Sequence, residues 1–202
     1  GIQQYAASAN HTMTDNLIYD NKVTRISKHA LNFNQLCQRS KAWNNILAHI
    51  NNHAVLFDTT SLTSGNAIYI ANCVIYDWGR TIVDRRAFWK NSNWGGIVRA
   101  ENCIVAIPAT HANNGVNWIA DGGTFEFVKC RWHDARTSGG LTSKPAQDAT
   151  GSFGNPSFTD AANDDFSLAA NSPCIDAGNV PQGISRTRGI GGNQAPQGAA
   201  HD

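Results

Sequence analysis

Three groups of side chains in this sequence could do chemistry. Arg99, Lys129, Arg131 and His133 form a basic group. Arg131 and His133 stand two apart, so in an extended segment they share a face. Gathered on one wall, these cations could bind an acidic polymer; solvated charges on a wall are the plainer reading. A second group runs through the stretch Asp77–Gly96: Trp78, Arg80, Arg85, Arg86, Trp89 and Trp94. Flat aromatic faces pack against pyranose rings and guanidinium groups hold carboxylates, so these residues could make a sugar-binding platform. Packing of the stretch onto its own wall, or a protein contact, would use the same residues. Asp160, Asp164 and Asp165, with Asn163, offer hard oxygen ligands for Ca²⁺, although acidic turn residues explain them more simply.

Other chemistries are thinly represented. Glu101 and Glu126 are the only glutamates, and with Asp84 and Asp134 they form no matched pair for glycoside hydrolysis. No GxSxG nucleophile motif occurs. Cys37, Cys73, Cys103, Cys130 and Cys174 form no CxxC pair, and the histidines are read as carrying no metal-ligand spacing, so no metal cofactor is expected.

Composition narrows the class. Sixteen basic and fifteen acidic side chains leave a net charge of +1, which gives no footprint for nucleic acid. Charged residues make up 15 % of the chain, against roughly 25 % in an average soluble domain. Such a polar but uncharged surface fits a secreted or cell-surface protein. No apolar run reaches the roughly 20 residues of a membrane span. Gly1, with neither methionine nor signal peptide, reads as the start of a mature or excised piece, and Asn10-His11-Thr12 is the only glycosylation sequon.

The elements that must position these side chains repeat. Asn16-Leu-Ile-Tyr19, Asn45-Ile-Leu-Ala48, Asn72-Cys-Val-Ile-Tyr76, Asn102-Cys-Ile-Val-Ala106 and Lys129-Cys-Arg-Trp132 begin 29, 27, 30 and 27 residues apart. Near-constant spacing of short apolar strands predicts a solenoid in which each coil buries its face against the next. A second strand precedes the later segments, at Ala67–Ile70, Ile97–Ala100 and Phe125–Val128, one or two residues away. That link is too short for a hairpin but sufficient for a corner, where asparagine tolerates the left-handed conformation. Ala30–Phe33 and Ala54–Phe57 are candidate strands of earlier coils, and residues 35–43 read as a short helix. Cys73, Cys103 and Cys130 should form an inward column of free thiols, because stacked side chains point in parallel.

The segments Gly154-Asn-Pro-Ser-Phe-Thr-Asp160, Asp165-Phe-Ser-Leu168 and Asn171-Ser-Pro-Cys-Ile-Asp-Ala-Gly178 make the chain resemble a known family. They are similar to the closing motif, NPxFxD…DFxLxxxSPxIDxG, of right-handed parallel β-helix proteins of the pectate-lyase-like superfamily. Arg188-Gly-Ile-Gly-Gly192 would be its final segment, with Arg188 where that family carries an acidic residue. The resemblance implies an all-β, right-handed parallel β-helix of about five coils, spanning 1–149. A cap over 150–192 would drop Phe158, Phe166, Leu168 and Ile175 over the last coil, and 193–202 would be a flexible tail.

The same resemblance frames function. Its members include polysaccharide lyases and hydrolases, phage tailspikes and surface-structural or adhesive proteins. Were this a lyase, Arg99, Lys129, Arg131 and His133 would be the catalytic candidates. Catalytic members of the superfamily usually have more coils, whereas five coils at about 4.8 Å each make a rod of roughly 24 Å. The expected function is therefore an extracellular, non-catalytic module that contacts glycans or neighbouring subunits. A polysaccharide-degrading enzyme, lyase before hydrolase, or a fragment of one, is the first alternative, and a tailspike or fibre module the second.

Overall fold

A computed structural model describes residues 1–5, 13–34, 37–58, 67–90, 96–113, 115–119 and 124–179. Trp94, the Asn10 sequon, the segment Arg188–Gly192, the tail 193–202 and the side chain of Cys37 lie outside the described set. Within that set the chain is a parallel β-helix in which each coil gives one strand to each of three sheets. The first sheet stacks Ile2–Tyr5, Leu31–Asn34, Val55–Asp58, Arg86–Lys90 and Asn117–Ile119. The second stacks Leu17–Tyr19, Lys41–Trp43, Ala67–Ala71, Ile97–Glu101 and Thr124–Val128. The third stacks Lys22–Ile26, Ile46–Ile50, Val74–Trp78, Ile104–Ile107 and Arg131–Asp134, and ends on Ser152–Phe153. Five rungs enclose about four full turns, close to the expected five coils.

Parallel register lines up like residues in columns that run inside the solenoid. Ile18, Ala42, Ile70, Ala100 and Phe127 are in register in the second sheet. Val23, Leu47, Ile75, Val105 and Trp132 are in register in the third. Leu31, Val55 and Phe88 do the same in the first. Apart from Val23, each is almost wholly buried. Burial of one of the valine, leucine, isoleucine or phenylalanine side chains stabilises the fold by about 1.5–3 kcal/mol. Two local readings give way to this register. The described part of the expected helix over 35–43, residues 37–43, is not helical, because Cys37–Gln38 and Lys41–Trp43 are rungs. Nor is Asp77–Gly96 one long loop, because Arg86–Lys90 is the first-sheet strand of its coil.

The corner between the second and third sheets shows why the repeat is imperfect in sequence. Asp20, Asn44, Asn72, Asn102 and Lys129 all hold the left-handed conformation there, with φ between 50° and 57°. The repeat as spelled in sequence is therefore misaligned. Asn44, not Asn45, is the partner of Asn72, and Asn16 precedes a second-sheet rung rather than occupying the corner. A doublet of asparagines invites that one-residue slip, and one residue moves a strand's side chains to the opposite face.

The next column inward is Asn21, Asn45, Cys73, Cys103 and Cys130. Asn45 Nδ2 donates to the Trp43 carbonyl two residues back at 3.0 Å and to the Ile18 carbonyl one rung back at 2.9 Å. The Cys103 thiol repeats the pattern, with Glu101 O at 3.4 Å and Ile70 O at 3.8 Å. Cys130 repeats it again with Val128 O and Ala100 O. Asparagine and cysteine thus interchange because each is a small donor that reaches the same two carbonyls. The cysteines are free and buried, as their inward column requires. Burial pushes the Cys73 and Cys103 thiols well above their ordinary range.

This column also explains how the last coil is closed. Backbone N–H groups along it are accepted by the next rung's side chain: Asn21 N–H by Asn45 Oδ1 at 3.1 Å, and Asn45 N–H by Cys73 Sγ at 3.4 Å. Beyond Cys130 the column reaches Gly151. A Cβ there would meet Asp148 Oδ2 at 2.0 Å, so only glycine leaves room for that carboxylate. Buried Asp148 then accepts the Cys130 N–H at 3.2 Å, the Trp132 Nε1–H at 2.8 Å and the Gly151 N–H at 2.7 Å. Asp148 stands in for the missing rung. Residues 135–151 make this end cover, with Leu141 packed against the core and the Trp118 indole donating to Ser143 O.

The segment expected to cover the last coil lies elsewhere. Phe158–Asp160 and Asp165–Leu168 form an antiparallel hairpin around the turn Ala161–Asn163. Phe158, Phe166, Leu168 and Cys174 pack on Ala48, Val74, Tyr76, Ile104 and Ala106. Those residues form the outer face of the third sheet, so the hairpin and the following turns strap its side wall. Ile175 remains exposed. With the core on one face and the strap on the other, Val74–Trp78 and Ile104–Ile107 are buried throughout. Continuous apolar runs are what such doubly covered parallel strands require.

Candidate functional site

The structure separates the basic group. Arg99 lies on the outer face of the second sheet, held by Glu101 at 2.6 Å and Glu126 at 3.4 Å. Both glutamates of the chain are thus consumed on one guanidinium. Lys129 and Arg131 line a cleft of about 370 Å³ between wall and strap. His133 lines a different cavity of about 210 Å³, beside Tyr76, Pro156 and Phe158. Burial lowers the His133 pKa, with Asp134 opposing and Arg131 assisting. Among the described residues only Lys129 and Arg131 of this group share a cavity.

The acidic group is divided as well. Asp160 accepts from the Asn163 amide at 2.7 Å, and Asp165 from Ser167. Asp164 receives Arg25 and, at 2.8 Å, His49 Nε2. The other nitrogen of His49 meets Asp77 at 2.8 Å, and Asp77 is further bonded by His111 Nδ1 at 2.8 Å and Arg80 Nε at 3.1 Å. Burial would raise both carboxyls. For Asp77 the His111 and His49 hydrogen bonds outweigh it, and for Asp164 the Arg25 and His49 bonds do, so each pKa lies below the ordinary value. This chain of hydrogen bonds and ion pairs fastens the strap to the wall. Among the described residues no three His, Cys, Asp or Glu side chains are placed to hold a metal.

The tryptophan-rich stretch resolves into two parts. Trp78 is wholly buried against Trp118, and Arg80 is turned to Asp77. Trp89, Arg85 and Arg86 instead meet where the chain turns into the first sheet. There Trp89 stacks on His53 with ring centres 5.4 Å apart, and His53 stacks on His29 at 5.6 Å. His53 Nδ1 accepts the Arg86 N–H at 3.0 Å. Burial, followed by the nearby charges of His29, Arg85 and Arg86, lowers the His53 pKa to about 3, so its ring is neutral. Arg86 pairs with exposed Asp84, while Arg85 Nε and Arg86 Nε are buried without a hydrogen-bond partner. The result is a column of three flat rings edged by two guanidinium groups.

Sequence reasoning missed His29 and His53 in this column. Their signal was visible: His29-Ala-Leu-Asn-Phe33 and His53-Ala-Val-Leu-Phe57 repeat the same spelling 24 residues apart. His49 and His53 also stand four apart, contrary to the reading of no such spacing. They are separated by a strand end and a turn, and one serves the strap while the other serves the ring column.

Comparison with protein-family models, with curated proteins and with solved structures finds no match. The architecture therefore defines the class, a parallel β-helix with a strapped side wall. No described helix is long and apolar enough to cross a membrane.

Proposed function

We propose that this chain is an extracellular, non-catalytic β-helix module of surface-structural or adhesive type, and that it holds glycans on the ring column of its first sheet. The observation that carries the reading is the stack of His29, His53 and Trp89 beside Arg85 and Arg86. Half-buried Trp89, at the end of this stack, offers an aromatic surface to a sugar, and the guanidinium edge suits acidic or hydroxyl-rich substituents. The closing motif supports placing the chain with the pectate-lyase-like superfamily, and the low charge content supports an extracellular site. Lyase chemistry has less support, because Arg99 is spent on Glu101 and Glu126, away from Lys129 and Arg131.

Titration with neutral and uronate oligosaccharides tests this. Binding should fall at least tenfold in Trp89→Ala and persist in Trp89→Phe, a contrast that follows from ring stacking. The absence of binding to any of these sugars, or an unchanged affinity in Trp89→Ala, would sink the reading. Release of unsaturated uronates by the wild type, abolished in Arg131→Ala, would put the lyase in its place.

A further inference from the structure

The cleft between wall and strap is a separate place, and its chemistry is one-sided. Lys129 and Arg131 project from the wall, and Ile104, Leu168 and Pro173 supply apolar lining. Arg131 donates to Gly154 O at 2.8 Å, Ser152 Oγ at 3.0 Å and Asn155 O at 3.1 Å. These acceptors are all neutral, so its charge is held in place without being cancelled, and two of its five N–H groups remain. Lys129 pairs with no carboxylate among the described residues. Among the described residues Asp176 is the one acidic side chain of the lining, against two cations, which leaves one positive charge in excess. The volume of about 370 Å³ equals roughly a dozen waters at about 30 Å³ each.

We propose that this cleft binds a small organic monoanion, its carboxylate on Lys129 and Arg131 and its apolar ring or chain against Ile104, Leu168 and Pro173. A guanidinium already fixed by three bonds loses little freedom when a ligand arrives, which favours binding. One excess charge selects a monoanion over a polyanion. The mixed lining selects an acid with an apolar body over a bare inorganic ion. The site is remote from the ring column and does not depend on glycan binding there.

Calorimetric titration with 2-naphthoate and its neutral isostere 2-naphthamide tests the proposal, with amide shifts of Ile104 and Ser152 locating the ligand. Naphthoate should bind at this cleft, and naphthamide at least tenfold more weakly. Lys129→Asn should weaken naphthoate about tenfold, the scale of one charged hydrogen bond. That variant is suited to fold, because asparagine occupies the same left-handed corner at Asn44, Asn72 and Asn102. Its thermal midpoint should stand at or above that of the wild type. Lys129→Gln supplies the same loss if the corner itself is disturbed. Equal binding of acid and amide, no binding of naphthoate, shifts confined to another face, or unchanged affinity in both Lys129 variants would each overturn the proposal.

Discussion

His49 holds two carboxylates at once, Asp77 through Nδ1 and Asp164 through Nε2. Two opposed ring nitrogens let one short side chain span wall and strap in this way. The pH consequence follows from the carboxyls. Both titrate below their ordinary value of 3.8 in the fold, so the unfolded chain takes up protons first as pH falls. The stability they contribute is complete above that value and is lost as pH drops through the lower folded values. The Phe158–Leu168 amides should therefore lose protection against hydrogen exchange, relative to their intrinsic rates, below about pH 4 while the core of the coils stays protected. In Asp77→Ala, with His111 left unpartnered and His49 held by Asp164 alone, the strap should loosen already at neutral pH, at a cost of about 3 kcal/mol. If exchange in this segment follows global unfolding at every pH, the network does not hold the strap. None of this was legible locally, because His49, Asp77, His111 and Asp164 are far apart in sequence and no motif links them.

The third-sheet corner is the element on which the repeat depends. Its two columns ask for a residue that accepts left-handed φ and then a small donor reaching two carbonyls. Asn45 meets the second demand fully, with two donor contacts and the Asn21 N–H and Nδ2 on its oxygen. Asn45→Ala should cost about 2–3 kcal/mol in denaturant unfolding, since it strands buried carbonyls. Asn45→Cys should cost clearly less, because cysteine makes the same contacts three times further along. Equal losses in the two variants would show that the donor is immaterial. The periodicity and the free cysteine column were readable from spacing alone. The true alignment was not, because two neighbouring asparagines can each claim the corner and only interstrand register decides between them.

At the scale of the molecule the two closing devices are distinct: an end cover that imitates a rung through Asp148, and a strap that waterproofs a side wall. Asp148→Ala should leave the Cys130 N–H and the Trp132 indole without acceptors and open the end of the stack. Uncovered sheet edges pair with other edges. This variant should therefore lose about 2–4 kcal/mol and form larger species in light scattering. A variant that keeps the wild-type size and stability would deny Asp148 this role. The apolar residues of the closing motif were visible beforehand, yet their target was not. An apolar side chain announces that it will be covered, and nothing in its type says whether a coil end or a sheet face will do it.

By itself, then, the sequence determined the all-β solenoid, its coil count to within one, the corners at Asn72 and Asn102 and the buried thiols. All of these follow from short-range spacing and the period-two alternation of strands. Only the tertiary structure decided which charges meet. Arg99 went to glutamates, Asp164 to His49, Trp78 to the core and Trp89 to a histidine stack. Apart from Arg99 with Glu101 in one strand, those contacts join different coils, or a coil and the strap, and whether they form depends on loop lengths and on which wall faces outward. Spacing along one chain encodes the period of a rod, and function on a rod is set across its rungs.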